Sequence, residues 1–211
     1  MTRFAQIKGE GQPAGVAAPS ANRFGQVSPT QAQHVRHEFP DLGPDELYVL
    51  EGGNADVGIE STIVDVSRLE QGIAPVILRP GHITAEQIAR VLGGALGQTQ
   101  NEASTPRVSG SLKAHYAPRT PLYLKTAEQI QALQDTQAVA VVFESTLQTG
   151  AQLFLAPNIA EHYASQLYAM LRQLDQQGYS AIYLQQPPQT PDWEAVNDRI
   201  SRAAAAFDSQ D

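Results

Sequence analysis

The rhythm of apolar and polar positions changes near the middle of the chain. After residue 120, stretches of helical period alternate with short apolar runs: helix "TAEQIQALQDT" (126–136), strand "AVAVVFES" (138–145), helix "NIAEHYASQLYAMLRQLDQQG" (158–178), strand "SAIYLQQ" (180–186) and helix "TPDWEAVNDRISRAAAAF" (190–207). Such alternation predicts a small parallel α/β sheet covered by helices, because parallel strands need crossover connections. Ile159, Tyr163, Leu167, Met170, Leu171 and Leu174 form one stripe of the long helix, and Gly178 stands where a left-handed residue ends it.

Before residue 98 the pattern is strand-rich. "ELYVLEGG" (46–53), "GIESTIVDV" (58–66) and "APVILRPG" (74–81) read as β runs. Two helix starts accompany them, "SPTQAQHV" with Ser28 as cap and "ITAEQIARVL" with Thr84 as cap. Both have the S/T-x-x-Q form of a capping box, and Pro29 falls at the first helical position, where its missing N–H costs nothing. Residues 98–120, "QTQNEASTPRVSGSLKAHYAPRT", show no sustained period and are rich in Ser, Thr, Pro and Gly, so they read as a linker. The predicted organisation is therefore 1–97, a linker at 98–120, and an α/β domain at 121–211.

Composition narrows the picture. The 211 residues include no cysteine, which removes disulfides, thiolate metal sites and a Cys nucleophile, and 42% apolar content suits a chain with a real core. No leader-like start and no long uninterrupted apolar run are visible, so a cytoplasmic protein without a membrane span is expected. Net charge is −8, which disfavours a broad nucleic-acid surface. The charge is unevenly spread: 1–97 carry 7 basic and 11 acidic residues, 98–120 carry 3 and 1, and 121–211 carry 4 and 10. A cationic strip thus lies between two acidic bodies; it suits either a small anion such as a nucleotide or a solvated linker.

Several short stretches could carry chemistry. Ser20, Asn22, Ser28 and Thr30 put uncharged polar groups beside a predicted helix start, which either attracts a phosphate or simply uses Ser28 as a cap. "LRPG" (78–81) leaves Arg79 at the carboxyl end of a β run, free to hold a phosphate or to pair with an acid such as Glu60 or Asp65. "GIEST" (58–62) sets Ser61 and Thr62 after a three-glycine loop, or forms an ordinary turn. His34 and His37 stand three apart beside Glu38, without a third ligand at a recognisable metal spacing. No nucleophile elbow, Walker loop or dinucleotide fingerprint occurs.

Taken in order, "APSAN", "SPT", "GIEST", "VILRPG" and "HYAP", followed by the late "AVNDRISRAA" helix, resemble the two-domain threonylcarbamoyl-AMP synthases of the YrdC type. The resemblance runs from about Gly15 to the carboxyl end. It implies part of a YrdC-type twisted open sheet with helices, then the linker, then a small Rossmann-like domain. It also implies synthesis of L-threonylcarbamoyl-adenylate from L-threonine, bicarbonate and ATP with release of pyrophosphate. ATP would be a substrate accompanied by Mg2+, and the product would pass to a tRNA-modifying threonylcarbamoyl transferase complex, with no stable nucleic-acid binding by this chain.

Carried over by position, Ser20, Ser28, Arg79 and Tyr116 would contact ATP with Asn22 nearby, Ala18 and Ser61 would contact threonine, and the linker would act as a lid. Lys113 and Arg107 are further cations of that lid. The resemblance also marks a departure: "MTRFAQIKGEGQPAGV" contains no Lys-x-Arg pair of the kind that handles the ATP phosphates in the family, nor the early strands of its sheet. The chain reads as an amino-terminally truncated relative, and a catalytically inactive nucleotide-binding remnant or regulatory YrdC-type module is the alternative. An incomplete sheet predicts exposed apolar surface in 1–97 and a thermal melt in which only 121–211 unfolds cooperatively.

Overall fold

The computed structural model of the chain describes residues 18–97, 106, 108–110 and 112–208. Arg107, named above for the lid, lies outside the described residues.

The carboxyl-terminal part is built on a four-stranded, all-parallel sheet of β3 (Leu122–Lys125), β4 (Val139–Val142), β5 (Gln152–Leu155) and β6 (Ile182–Gln185), in the order β3-β6-β4-β5. Two-residue periodicity sorts its core. Val139 and Val141 face one side with Leu122, Ile182 and Leu184, whereas Ala140 and Val142 face the other with Ile130 and Ala181. Helices α4 (Ala160–Asp175) and α5 (Glu194–Ala204) cover the first side, and α3 (Ala127–Gln131) contributes Ile130 to the second.

The alternation of periods predicted this layer correctly but missed two strands. "LYLK" opens the sheet before any helix, and "QLFL" forms an edge strand with Leu153 and Leu155 exposed, so neither shows the alternation of a half-buried strand. In the long helix Tyr163, Leu167, Met170, Leu171 and Leu174 are buried as expected; Ile159 is its exposed cap residue instead. Gly178 has φ +73°, the left-handed value its position calls for.

The amino-terminal part contains α1 (Ala32–Glu38), an antiparallel pair β1 (Ile63–Asp65) and β2 (Val76–Arg79), and α2 (Ala85–Leu92). "ELYVLEGG", expected as a strand, forms none: Tyr48 and Leu50 are each 78% exposed and no described neighbour offers a ladder. Its apolar residues satisfy a β-propensity rule without the pairing that makes a strand. The pair β1–β2 runs with Ile63 opposite Arg79 and Asp65 opposite Val76. Asp65 accepts from the Ser67 amide and hydroxyl and from Arg68, which turns the chain between the strands.

Of the two capping boxes, one forms. At α2 the Thr84 hydroxyl accepts from the Gln87 amide, and the Gln87 side chain accepts from the Thr84 amide. At the other, helix α1 begins three residues late, with Gln31 as a cap that makes no side-chain bond. Pro29 is thus outside the helix, and Ser28 is drawn away by a carboxylate described below. Because no residue of α2 is buried, its cap carries much of its stability: Thr84→Ala is expected to cost about 1 kcal/mol, read as a lower denaturation midpoint.

Residues 18–97 have little core of their own. Val27 joins the sheet's main apolar cluster together with Tyr116, while Val66, Leu69, Ile73, Val91 and Leu92 are exposed. The exposed apolar surface agrees with the sequence expectation, and the two parts interlock, which favours their unfolding together. Arg172 of α4 donates to the Val27 carbonyl and pairs with Glu38 at 2.9 Å. Gln26 and Ala117 form an isolated bridge, and Gly58 packs against the backbone of α4.

Candidate functional site

Where β1 begins, the chain turns at Gly58 and sends the Glu60 side chain into the seam between the two parts. Glu60 accepts from Ser28 Oγ at 2.7 Å through one oxygen, and from Tyr168 Oη and Arg199 Nε, both at 2.8 Å, through the other. Arg199 also reaches the Glu60 carbonyl at 3.3 Å and Asp198 at 2.5 Å, and it is fully buried. A buried guanidinium is tolerated only when its charge and donors are met, and here a carboxylate from each part of the chain does so.

Burial opposes ionisation of Glu60, yet the hydrogen bonds from Arg199 and Ser28, the Arg199 charge and the Tyr168 bond outweigh it and hold the carboxyl below its ordinary value. Burial likewise works against the Arg199 charge, but Tyr168, Glu60 and Asp198 more than offset it. Since the folded carboxyl binds its proton less readily than the unfolded one, its contribution to stability is complete above the ordinary Glu value of 4.5 and is lost as pH falls through the lower folded value. Glu60→Gln is therefore expected to flatten the loss of melting temperature as pH falls below 4.5, relative to the unsubstituted chain.

Around this knot stand aromatic rings. Tyr116 is 1% exposed, stacks on Tyr168 at 5.5 Å and lies under the Arg199 guanidinium at the same distance. It takes φ +63°, an unusual conformation for a tyrosine, fixed by its neighbours on both sides: His115 N donates to the Arg202 carbonyl and Ala117 N to the Gly25 carbonyl. Gly110, at φ +77°, passes so close to the Tyr116 hydroxyl that a Cβ would lie 2.0 Å from it.

Arg79, 5% exposed, does not pair with Glu60 or Asp65. Its Nε and Nη2 donate to the Ser61 carbonyl at 3.2 and 2.9 Å, and Nη1 donates to the Ser109 carbonyl at 2.9 Å. One guanidinium thereby ties the "GIEST" turn, the end of β2 and the segment leading to "HYAP". Gly81 makes that approach possible, since a Cβ there would stand 2.3 Å from the Thr62 nitrogen.

An open cavity of about 400 Å3 lies against the knot, lined by Ser20, Ser28, Thr30, Asp56, Glu60 and Tyr168, with the 55–59 loop and Pro29 closing the rest. Of the polar group Ser20, Asn22, Ser28 and Thr30 singled out in the sequence, it brings Ser20, Ser28 and Thr30 together. Ser61 lines a neighbouring, more apolar hollow with Val57, Ile59, Val64, Ile83 and Ile88. Asn22 serves its own loop, donating to the Arg23 and Gln26 carbonyls, and Ala18 is exposed at the edge of the described residues. Lys113 is exposed. His34 is buried with its Nδ1 accepting from the Thr30 amide, Glu38 is taken by Arg23 and Arg172, and His37 is exposed, so the three do not face one another as a ligand set.

Glu60, Tyr168 and Arg199 stand at the centre of this seam, and motif reading passed over their joint role there. Glu60 sits inside "GIEST", where the sequence offers it only as a partner for Arg79; Tyr168 belongs to no motif of the sequence, and Arg199 stands in "AVNDRISRAA" with no role assigned to it. A charged residue on the apolar face of α5, between Val196 and Ile200, was the available signal.

Residues 83–205 match the family model described as "Threonylcarbamoyl-AMP synthase, C-terminal domain", and residues 5–81 match one described as "Telomere recombination". The chain is 33% identical over 218 residues to the threonylcarbamoyl-AMP synthase of Bacillus subtilis, covering 95% of this chain and 60% of that protein. It is 29% identical over 205 residues to the Pyrococcus abyssi protein of the same name, covering 90% and 57%. Among solved structures it is similar to P. abyssi Sua5 complexed with L-threonine, with TM-score 0.73 and 27% identity over 89% of this chain and 57% of that one. The chain therefore spans about 60% of the length of these curated relatives. The carboxyl-terminal model alone accounts for more than half of the chain, from α2 through α5, and on that ground the chain belongs to the threonylcarbamoyl-AMP synthase family.

Proposed function

We propose that this chain carries part of the site of an L-threonylcarbamoyladenylate synthase, a nucleotidyltransferase acting in tRNA threonylcarbamoyladenosine formation. The observation that carries the reading is the Arg79 tie: it draws Ser61, Ser109 and the end of β2 to one place, with the Ser20 and Ser28 cavity on the other side of Glu60. In the reaction, the L-threonine amine attacks the carbon of bicarbonate; the C–N bond forms as a C–O bond breaks, and the departing hydroxide leaves as water with the amine proton, giving a carbamate. A carbamate oxygen then attacks the α-phosphorus of ATP, the bond from that phosphorus to the bridging oxygen breaks, and pyrophosphate leaves. The protein's task is to align two anions and to hold polar groups in place, which fixed backbone and hydroxyl groups accomplish without reorganising during the step.

Ala18 and Ser61 are assigned to L-threonine, and Ser20, Asn22, Ser28, Arg79 and Tyr116 to ATP. Arg79 and Tyr116 act from behind the surface, because both are buried: Arg79 shapes the Ser61 and Ser109 carbonyls, and Tyr116 fixes the "HYAP" segment. The residues present do not build a seat for Mg2+. No three His, Asp or Glu side chains converge among the described residues, and both oxygens of Glu60 are already engaged. Any Mg2+ is then brought by ATP, and no step is assigned to it. No helix among the described residues is long and apolar enough to cross a membrane. The product would be taken by a tRNA-modifying threonylcarbamoyl transferase complex, and a cytoplasmic location fits that role.

Pyrophosphate release from ATP that requires both L-threonine and bicarbonate is the test, and release indifferent to L-threonine overturns the reading. Arg79→Ala is expected to lower kcat/KM for ATP by tenfold or more, a loss of at least about 1.4 kcal/mol, since three hydrogen bonds from a buried guanidinium disappear. Unchanged kinetics would remove Arg79 from the site.

A further inference from the structure

The polarity of the Ser28 hydroxyl says which part of a ligand it meets. A serine hydroxyl has one proton and two lone pairs. Glu60 is ionised and accepts only, so the 2.7 Å contact between them uses the Ser28 proton. Glu60 cannot turn away to release it, because Tyr168 and Arg199 hold its other oxygen and Arg199 also holds its carbonyl. What Ser28 offers the cavity is lone pairs. A phosphate oxygen brings lone pairs of its own and would be repelled. The rest of the lining agrees: among the described residues it carries the carboxylates Asp56 and Glu60 and no Lys or Arg.

We propose, on the basis of the nucleotide and threonine reading above, that the Ser28 and Glu60 end of this cavity receives a hydrogen-bond donor of the substrates, a ribose hydroxyl or the threonine ammonium, and that phosphates lie elsewhere. Glu60 is the positioning residue that sets this polarity, and the carboxyl-terminal domain imposes it through Tyr168 and Arg199. Ser28 thus contacts substrate as an acceptor, although its place before a helix suggested an anion site. Helix α1 itself offers no such site, since it begins only at Ala32.

Calorimetry of the full chain with adenosine, L-threonine and inorganic tripolyphosphate tests this. Ser28→Ala, which leaves the Tyr168 and Arg199 bonds to Glu60 in place, is expected to weaken adenosine or L-threonine about fivefold to tenfold while altering tripolyphosphate less than twofold. An effect on adenosine assigns the donor as a ribose hydroxyl, and an effect on L-threonine assigns it as the ammonium. Glu60→Gln supplies the readout that a merely structural role would not move. Its amide carbonyl suits Arg199 and Tyr168, which turns the amide N–H groups toward Ser28 and frees the serine proton, so tripolyphosphate is expected to bind no more weakly, or more tightly, as the donor ligand loses affinity. Equal losses for tripolyphosphate and the donor ligands in Ser28→Ala, or no change for any of them, overturn the proposal alone. Failure of the unsubstituted chain to bind any of the three overturns the substrate reading and this proposal with it.

Discussion

Arg199→Met is expected to destabilise the chain by about 3–5 kcal/mol, the usual cost of removing one partner from a buried ion pair. Two consequences add. Glu60 stays in the seam with its charge unmatched, and Tyr116 loses the guanidinium that lies over its ring. The loss should not be confined to the carboxyl-terminal sheet, because Glu60 belongs to the other part of the chain and Asp198, the second partner of Arg199, also holds Arg202, which donates to the Leu112 carbonyl. Thermal unfolding of the unsubstituted chain followed by far-ultraviolet circular dichroism is expected as one transition, and the variant's midpoint should fall as a whole. Adding Glu60→Gln to Arg199→Met should recover part of the loss, since it removes the stranded carboxylate. A midpoint within about 1 °C of the unsubstituted chain would remove Arg199 as the joint, because 1 kcal/mol moves the midpoint by about 2–4 °C at this size.

Sequence reading succeeded where a local rule and the tertiary environment ask for the same thing. Thr84 and Gln87 cap α2 because nothing nearby competes for either side chain, and "VAVV" becomes a central strand because both of its faces are buried, which a continuous apolar run signals. It failed where a distant group outbids the local one. Ser28 has every mark of a cap, but a carboxylate 32 residues away takes its proton, and the helix starts later as a result. "ELYVLEGG" carries strand-forming residues and finds no partner strand. At the candidate site, "APSAN" and "GIEST" border the cavity and "LRPG" supplies the Arg79 tie, yet the place of Glu60 could not be read locally because its partners lie 108 and 139 residues further along the chain. No spacing rule spans that distance; only the packing of α4 and α5 against the β1 turn brings those groups together.

Gly58 is where that packing is tightest, and Gly58→Ala is expected to cost about 3 kcal/mol or more. The residue holds φ +79°, where a side chain adds ~1–2 kcal/mol of strain. An added Cβ would also stand 2.5 Å from the Ala164 carbonyl oxygen and from the Ser165 Cα. These are backbone atoms in the middle of α4, which cannot rotate aside as a side chain would, so the helix and the 55–60 turn must separate, at roughly 1–3 kcal/mol for such overpacking. Tyr168 lies one helical turn beyond Ala164, so the same displacement lengthens its bond to Glu60 and loosens the hold on Ser28. Gly53→Ala separates the two causes: it has nearly the same φ, +82°, with nothing within 4 Å of its Cβ, and should show the strain alone. Denaturant midpoints for the two variants measured side by side decide the matter. Equal, small shifts would mean that the seam between β1 and α4 yields freely, and a loss at Gly58 at least twice that at Gly53 locates the seam's rigidity in the turn that aims Glu60.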